Sequence, residues 1–174
     1  MISQMELTLY LVLLVIFGTF VVAFGRPFFR GAPYAPTDIR TITAMMNVAK
    51  VIPSDRACDI GSGDGRLLIA LAKKGAHAEG FEINPFLVLW SRMKIKKEHV
   101  EDKASVSRQN LWKADFRPYT LVTLFGVFYI MRDLEKKLLQ ELPVGARVVS
   151  NSFAFPNWQP TAKENGVYLY IKTA

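Results

Sequence analysis

The 174-residue chain holds a single cysteine, Cys58, and only two histidines, His77 and His99. A lone cysteine excludes an internal disulfide and a cysteine-based metal site, and it agrees with a reducing compartment. The two histidines lie far apart in the chain and suit structural or surface roles, so no metal is expected. The phosphate-cradling signature G-x-x-x-x-G-K-[S/T] is missing as well, which disfavours a nucleoside triphosphatase. There is no internal repeat and no low-complexity tract. Charge, too, is missing from one long stretch: between Leu7 and Gly25 not one of 19 residues is charged.

As a helix, those 19 residues would span about 28 Å, close to the roughly 30 Å hydrocarbon core of a bilayer. A cleaved signal peptide fits poorly, because the preceding segment carries only Glu6 and no basic residue. The expectation is a single-pass transmembrane anchor over 1–25, with Arg26 and Arg30 just beyond it. Positive flanking charge places the C-terminal domain on the cytoplasmic side: a bacterial inner membrane, or the mitochondrial inner membrane in a eukaryote. Residues 26–36, with Pro27 and Pro33, read as an irregular juxtamembrane linker. Lipids are therefore the first expected partner, through the N-terminal helix.

The remainder, 37–174, is long enough for one domain with its own core. The formal net charge is +7, and Glu6 is the only charge before Arg26, so the chain from Arg26 onward carries +8. With an anchor beside it, such a surface suits anionic headgroups, and no nucleic-acid partner is expected. Thr37 is positioned to cap a helix that carries Ile39, Ile42, Met46 and Ala49 at helical spacing and ends near Val51. Apolar runs then alternate with helical patterns. Strands are expected near 57–60, 76–82, 105–109, 121–128, 147–153 and 167–172, with helices after the first, second and fourth, the last from Asp133 to Leu142. That alternation implies a mostly parallel sheet covered on both faces.

The central motif is Asp59-Ile60-Gly61-Ser62-Gly63-Asp64-Gly65-Arg66. An apolar strand leads in and a helix leads out, the context in which a glycine turn brings backbone N–H groups close to a ligand. A dinucleotide-type G-x-G-x-x-G would need glycine at position 66, where Arg66 stands. Asp64, at the helix start, would oppose a pyrophosphate and suits a cationic ligand. Glu82 lies 21 residues beyond Gly61 at the end of the second strand, placed to accept hydrogen bonds from ribose hydroxyls. Asn110-Leu111 after strand three offers an amide to an adenine edge. Phe125-Gly126-Val127 ends strand four with exposed backbone in an apolar setting.

The glycine spacing resembles motif I of the class I methyltransferases, which bind S-adenosylmethionine (SAM). Several longer stretches narrow the resemblance. Tyr34-Ala35-Pro36-Thr37, Phe81 to Val88, Asn110-Leu111-Trp112-Lys113, Leu134-Glu135-Lys136-Lys137-Leu138 and Phe153-Ala154-Phe155-Pro156-Asn157-Trp158 are the chief ones. Together they resemble the small membrane-anchored protein-lysine methyltransferases, whose animal members work in mitochondria on the c-subunit of ATP synthase and the adenine nucleotide translocase. The resemblance implies an α/β, Rossmann-like class I methyltransferase sheet of six or seven strands behind an N-terminal transmembrane helix. It implies SAM as cofactor, bound by Asp59, Gly61, Ser62, Gly63, Gly65, Arg66, Glu82, Ile83, Asn84, Asn110, Leu111 and Phe125. It also implies a membrane-associated protein as substrate. The family usually carries Asp where this chain has Asn110.

A lysine acceptor must be neutral to attack a methyl group, although its ordinary pKa is about 10.4, and an apolar channel depresses that value. Tyr34, Thr37, Tyr129 and Trp158 are placed at such a channel. No residue stands out as a general base. No Asn/Asp-Pro-Pro-Tyr/Phe tetrad follows strand four, which weighs against methylation of adenine or glutamine amides. Two alternatives remain open on the sequence: methylation of a small lipophilic acceptor such as a quinone or lipid, and a membrane-tethered module that binds SAM without catalysis.

Overall fold

The structure, a computed structural model, describes residues 4–30 and 35–174, with side chains for 4–19 and 35–174. The chain divides into two units, Met1–Pro33 and Tyr34–Ala174. The first is one helix, α1 (Gln4–Arg30), with exposed apolar side chains from Leu7 to Phe17. It continues through Arg26 and Pro27 and stops at Arg30, so the irregular linker expected from Arg26 does not start there. Among the described residues no helix is long and apolar enough to cross a membrane. The expected anchor is thus not supported; its last stretch, 20–25, lies outside the residues whose side chains are described.

The second unit begins with α2 (Ile39–Ala49). Its N-cap is Asp38 and not Thr37. The Asp38 carboxylate accepts the N–H groups of Arg40 (2.9 Å) and Thr41 (3.1 Å), and the Thr41 hydroxyl (2.6 Å). A carboxylate offers two acceptors to the orphan N–H groups of a helix start, where the hydroxyl of Thr37 offers one oxygen. The helix ends at Ala49, because Lys50 turns left-handed (φ 48°) and closes it.

Strands β1 (Arg56–Ile60), β2 (His77–Glu82), β3 (Ala104–Arg108), β4 (Leu121–Phe125) and β5 (Arg147–Asn151) are joined by parallel pairings. Helices α3 (Arg66–Lys73), α4 (Pro85–Lys97) and α5 (Phe128–Glu141) make the crossovers after β1, β2 and β4. Two antiparallel strands, β6 (Ala162–Glu164) and β7 (Val167–Ile171), complete a seven-stranded sheet in the order β3-β2-β1-β4-β5-β7-β6. β6 is absent from the sequence reading, being three exposed residues with no apolar run. Its turn, Asn165-Gly166, has φ of 47° and 80°, the left-handed pair a tight hairpin requires.

Strand four also ends earlier than expected, at Phe125, and α5 begins at Phe128, ahead of Asp133. Gly126 lies at the turn between them, where a Cβ would meet the Met131 sulfur and have to push that side chain aside. No side chain caps α5, which is why no polar signal marked its start.

Two apolar layers sandwich the sheet. One joins Ile42, Met45 and Met46 of α2, Leu68 and Leu71 of α3, and Val88 and Ile95 of α4 to Ala57, Val106 and Val149. The other joins Met131, Leu134 and Leu138 of α5 to Cys58, Phe116, Val122, Val148 and Tyr170. Neighbouring strand residues divide between the layers (Ala57 and Cys58, Val148 and Val149), as a pleat with both faces buried demands. At the amino ends of the strands, Arg147 ties β5 to α2: it donates to the carbonyls of Ala49 and Lys50 and pairs with buried Asp55.

Candidate cofactor site and its rim

All five parallel strands end on the same edge, and strand order reverses between β1 and β4. Ligands of open α/β sheets bind at that point. The glycine turn sits there. Gly61, Gly63 and Gly65 have φ of 72°, 54° and 78°, a region L-residues with a Cβ avoid. The N–H groups of Gly61 and Ser62 donate to the Phe81 carbonyl at 2.9 and 3.2 Å, which folds the turn over the end of β2. Gly61 is exposed, and a Cβ there would meet nothing within 4 Å, so the outer side of the turn has room for a ligand. Gly65 is different: a Cβ would overlap Ser91 Oγ of α4, so this glycine permits close helix packing.

Glu82 is buried, and its carboxylate ties two turns together. One oxygen accepts the Gly63 N–H at 3.0 Å and the other the Asn84 N–H at 2.8 Å. Each oxygen retains lone-pair capacity, so ribose hydroxyls can still be accepted. Asn84 caps α4 through a 2.9 Å bond from the Phe86 N–H, and Ile83 is half-buried between them.

Asp59 is buried in β1 and accepts the Thr123 hydroxyl of β4 at 2.8 Å. Burial pushes its carboxyl up to about 7; the Thr123 bond opposes the shift, and the charges of Glu82 and Asp64 add to it. Thr123 is a site residue the sequence reading missed. Its signal was that of a lone hydroxyl in the otherwise apolar run Leu121 to Phe125.

Asp64 does not face outward to a ligand. Its buried carboxylate is enclosed by Arg66, with Nε at 2.9 Å and Nη2 at 2.8 Å, and by Lys94 Nζ at 2.6 Å. Burial disfavours its charge, but the bonds from Arg66 and Lys94 outweigh that and hold its carboxyl well below the usual carboxylate range. This corrects the expectation that Asp64 awaits a cationic ligand: its charge is already matched. Arg66 also donates through Nη1 to the Thr37 carbonyl at 2.9 Å. The segment ahead of α2 is thereby latched to the glycine turn, and Thr37 enters the site through its backbone.

Asn110 lies after β3 and is half-buried; its side-chain oxygen accepts the Trp112 N–H at 3.0 Å and opens the short 3-10 turn Leu111–Lys113. Its amide N–H groups are the part left to meet an adenine edge. Leu111 packs against the second apolar layer. Phe125 is half-buried beside Phe153, ring centroids 6.3 Å apart. Tyr129 stands exposed in the first turn of α5, edge-on to Phe128 at 5.5 Å. Trp158 is half-buried, stacked on Phe155 (ring centroids 5.7 Å apart) and tilted against Tyr170 (5.2 Å). Tyr34 lies outside the described residues.

The other stretches behind the resemblance also hold the fold together. Glu135, buried in α5, accepts the Asn157 N–H at 3.0 Å and so fixes the loop bearing Trp158. Glu141 accepts the Phe116 N–H at 2.9 Å and pairs with Lys137. Among the described residues no group of three or more His, Cys, Asp or Glu side chains is arranged to hold a metal.

The residues fit SAM. Its amino-acid and sulfonium portion is cationic, and two buried acids, Asp59 and Glu82, bracket the open glycine turn. Comparison with known proteins agrees. The family described as the ANTKMT methyltransferase domain matches residues 59–162. A lysine N-methyltransferase of Xenopus laevis, named for the c-subunit of ATP synthase, is 45% identical over 130 residues, covering 74% of this chain and 56% of that protein. A protein-lysine N-methyltransferase of Saccharolobus islandicus is 36% identical over 149 residues, covering 80% and 92%. Among solved structures, an RNA methyltransferase from Salinibacter ruber in complex with S-adenosyl-L-homocysteine superposes with a TM-score of 0.77 at 33% identity, covering 80% of this chain and 94% of that one. The chain thus spans little more than half the length of the Xenopus relative.

Proposed function

The chain belongs to the ANTKMT methyltransferase domain family, and we propose that it transfers a methyl group from SAM to a lysine side chain of a membrane-associated protein. The observation that carries this reading is that the family match, residues 59–162, spans the candidate site residues from Asp59 through Glu82 and Asn110 to Phe125. SAM supplies an activated methyl donor. The chain's own residues have the task of alignment, where proximity is worth about 7–11 kcal/mol. Asp59 and Glu82 receive the cationic and ribose portions, Asn110 the adenine edge, and the glycine turn admits the ligand to backbone distance. Phe125, Phe153 and Tyr129 provide an apolar approach in which a lysine loses its proton more readily.

Incubating the enzyme with methyl-labelled SAM and membranes from cells lacking the gene tests this. The expected product is label in a membrane protein that hydrolyses to methyllysine. Label confined to solvent-extractable lipid overturns the reading in favour of a lipophilic acceptor, and no SAM binding by the folded protein removes both enzymatic readings. A second reading, transfer to RNA, is favoured by the substrate named for the Salinibacter ruber neighbour. Nuclease-sensitive label in a total extract would carry it.

The site of action is proposed as a membrane surface, with the uncharged run Leu7 to Gly25 as the holding element. Resistance to alkaline carbonate extraction is the expected behaviour, and release by carbonate overturns it.

A further inference from the structure

We infer that the rim of the cofactor site is itself a lipid-contacting surface that rests on an anionic bilayer. Four large apolar side chains stand exposed on that rim: Ile39 (76%), Trp112 (42%), Phe128 (79%) and Tyr129 (58%). They come from three separate elements that start near the carboxyl edge of the sheet. Phe128 and Tyr129 open α5 after β4, and Trp112 follows β3. Ile39 opens α2, whose entry Arg66 latches to the glycine turn. Fold stability does not call for large apolar side chains left in water at three helix starts near one edge of the sheet, and exposed apolar surface of this kind marks an interaction face.

The charges on the same rim choose the occupant. Arg40, next to Ile39 in the chain, and Arg108 and Lys113, on either side of Trp112 in the chain, are exposed. Asp38, the acid nearest Arg40, turns its carboxylate onto the start of α2 as a cap. Tryptophan, tyrosine and phenylalanine among arginine and lysine is the composition that settles at the headgroup level of an anionic membrane. Docked this way, the cleft opens onto the bilayer, and the acceptor is a lysine presented at or just beneath the headgroups.

The inference deepens the proposed function in its choice of acceptor and rests on that reading only for the position of the cofactor. Its test reads lipid contact and not methyl transfer. In the full chain, Phe128→Cys labelled with the polarity-sensitive nitrobenzoxadiazole group reports from the rim, since Cys58 is buried and escapes labelling. On phosphatidylglycerol vesicles, the label emission is expected to rise and shift to the blue, and quencher lipids brominated on their acyl chains to reduce it. As a second reporter, W90F/W158F leaves Trp112 as the single tryptophan, with the same loss of emission expected. Protein that floats with the vesicles while both reporters stay water-exposed overturns the inference, because another part of the chain then holds it there. Failure to float overturns it as well. An equal response on neutral vesicles overturns the anionic preference, and a response that requires a protein in the bilayer reassigns the rim to a protein partner. Calorimetry with SAM on the same samples reads the cofactor site separately, so each reading can fail alone.

Discussion

The carboxylate of Glu82 holds the N–H of Gly63 at 3.0 Å and, with its other oxygen, the N–H of Asn84 at 2.8 Å. One buried side chain thus ties the shape of the glycine turn to the start of α4. Converting it to Glu82→Gln turns one acceptor into an NH2 group facing an N–H donor. Hydrogen bonds to charged groups are worth about 1.5–3 kcal/mol each. A loss of SAM affinity of at least tenfold, together with a lower Tm, is expected. Calorimetric titration beside thermal unfolding checks it, and unchanged affinity at a lowered Tm would confine Glu82 to scaffolding.

Gly65 and Ser91 make a second close pair. Gly65→Ala introduces both a left-handed strain (φ 78°) and an overlap with Ser91 Oγ, together costing on the order of 2–4 kcal/mol. The Ser91 hydroxyl is buried without a hydrogen-bond partner among the described residues. Ser91→Ala alone is therefore expected to be neutral or stabilising by up to about 1 kcal/mol. Added to Gly65→Ala, it should recover part of the loss, leaving the backbone strain. Urea denaturation of the four-member set measures the recovered fraction.

Asp59 makes the protein's behaviour depend on pH near neutrality. Its folded-state carboxyl lies at about 7, above the ordinary 3.8. The native state therefore keeps its proton while the unfolded chain has lost it, and stability falls as pH rises from about 4 to about 7 and then levels off. Asp59→Asn should flatten that slope. A cationic ligand favours the ionised form, so SAM affinity should rise with pH up to about 7, with proton release on binding below it. Titrations in two buffers of different ionisation enthalpy measure the proton count; zero release at pH 6 would exclude Asp59 as a contact.

Arg66 and Lys94 share the buried Asp64 carboxylate. Removing either leaves the other to match its charge, whereas removing both strands a buried anion. Arg66→Gln and Lys94→Met are each expected to cost about 1–2 kcal/mol, and the pair more than the sum by about 1 kcal/mol or more. A double-mutant cycle read by chemical denaturation decides it. Additive losses would mean that Asp64 is hydrated independently of both.

The sequence by itself determined the alternating α/β architecture and the strand-turn-helix around Asp59 to Arg66. Periodicity and glycine spacing are local properties, and they also carried Glu82, Asn110 and Phe125 to strand ends. Tertiary structure decided what those residues touch. That Asp64 also meets Lys94 of α4 and that Asp59 leans on Thr123 of a strand 64 residues away are products of the sheet order, which places β1 between β2 and β4. Local pattern is blind to such pairings, because they join residues distant in the chain. The start of α5 is hidden for a different reason: no side chain caps it, so no polar residue marks it. Even β6, signalled locally by Asn165-Gly166, becomes a strand only because β7 supplies its hydrogen-bond partners.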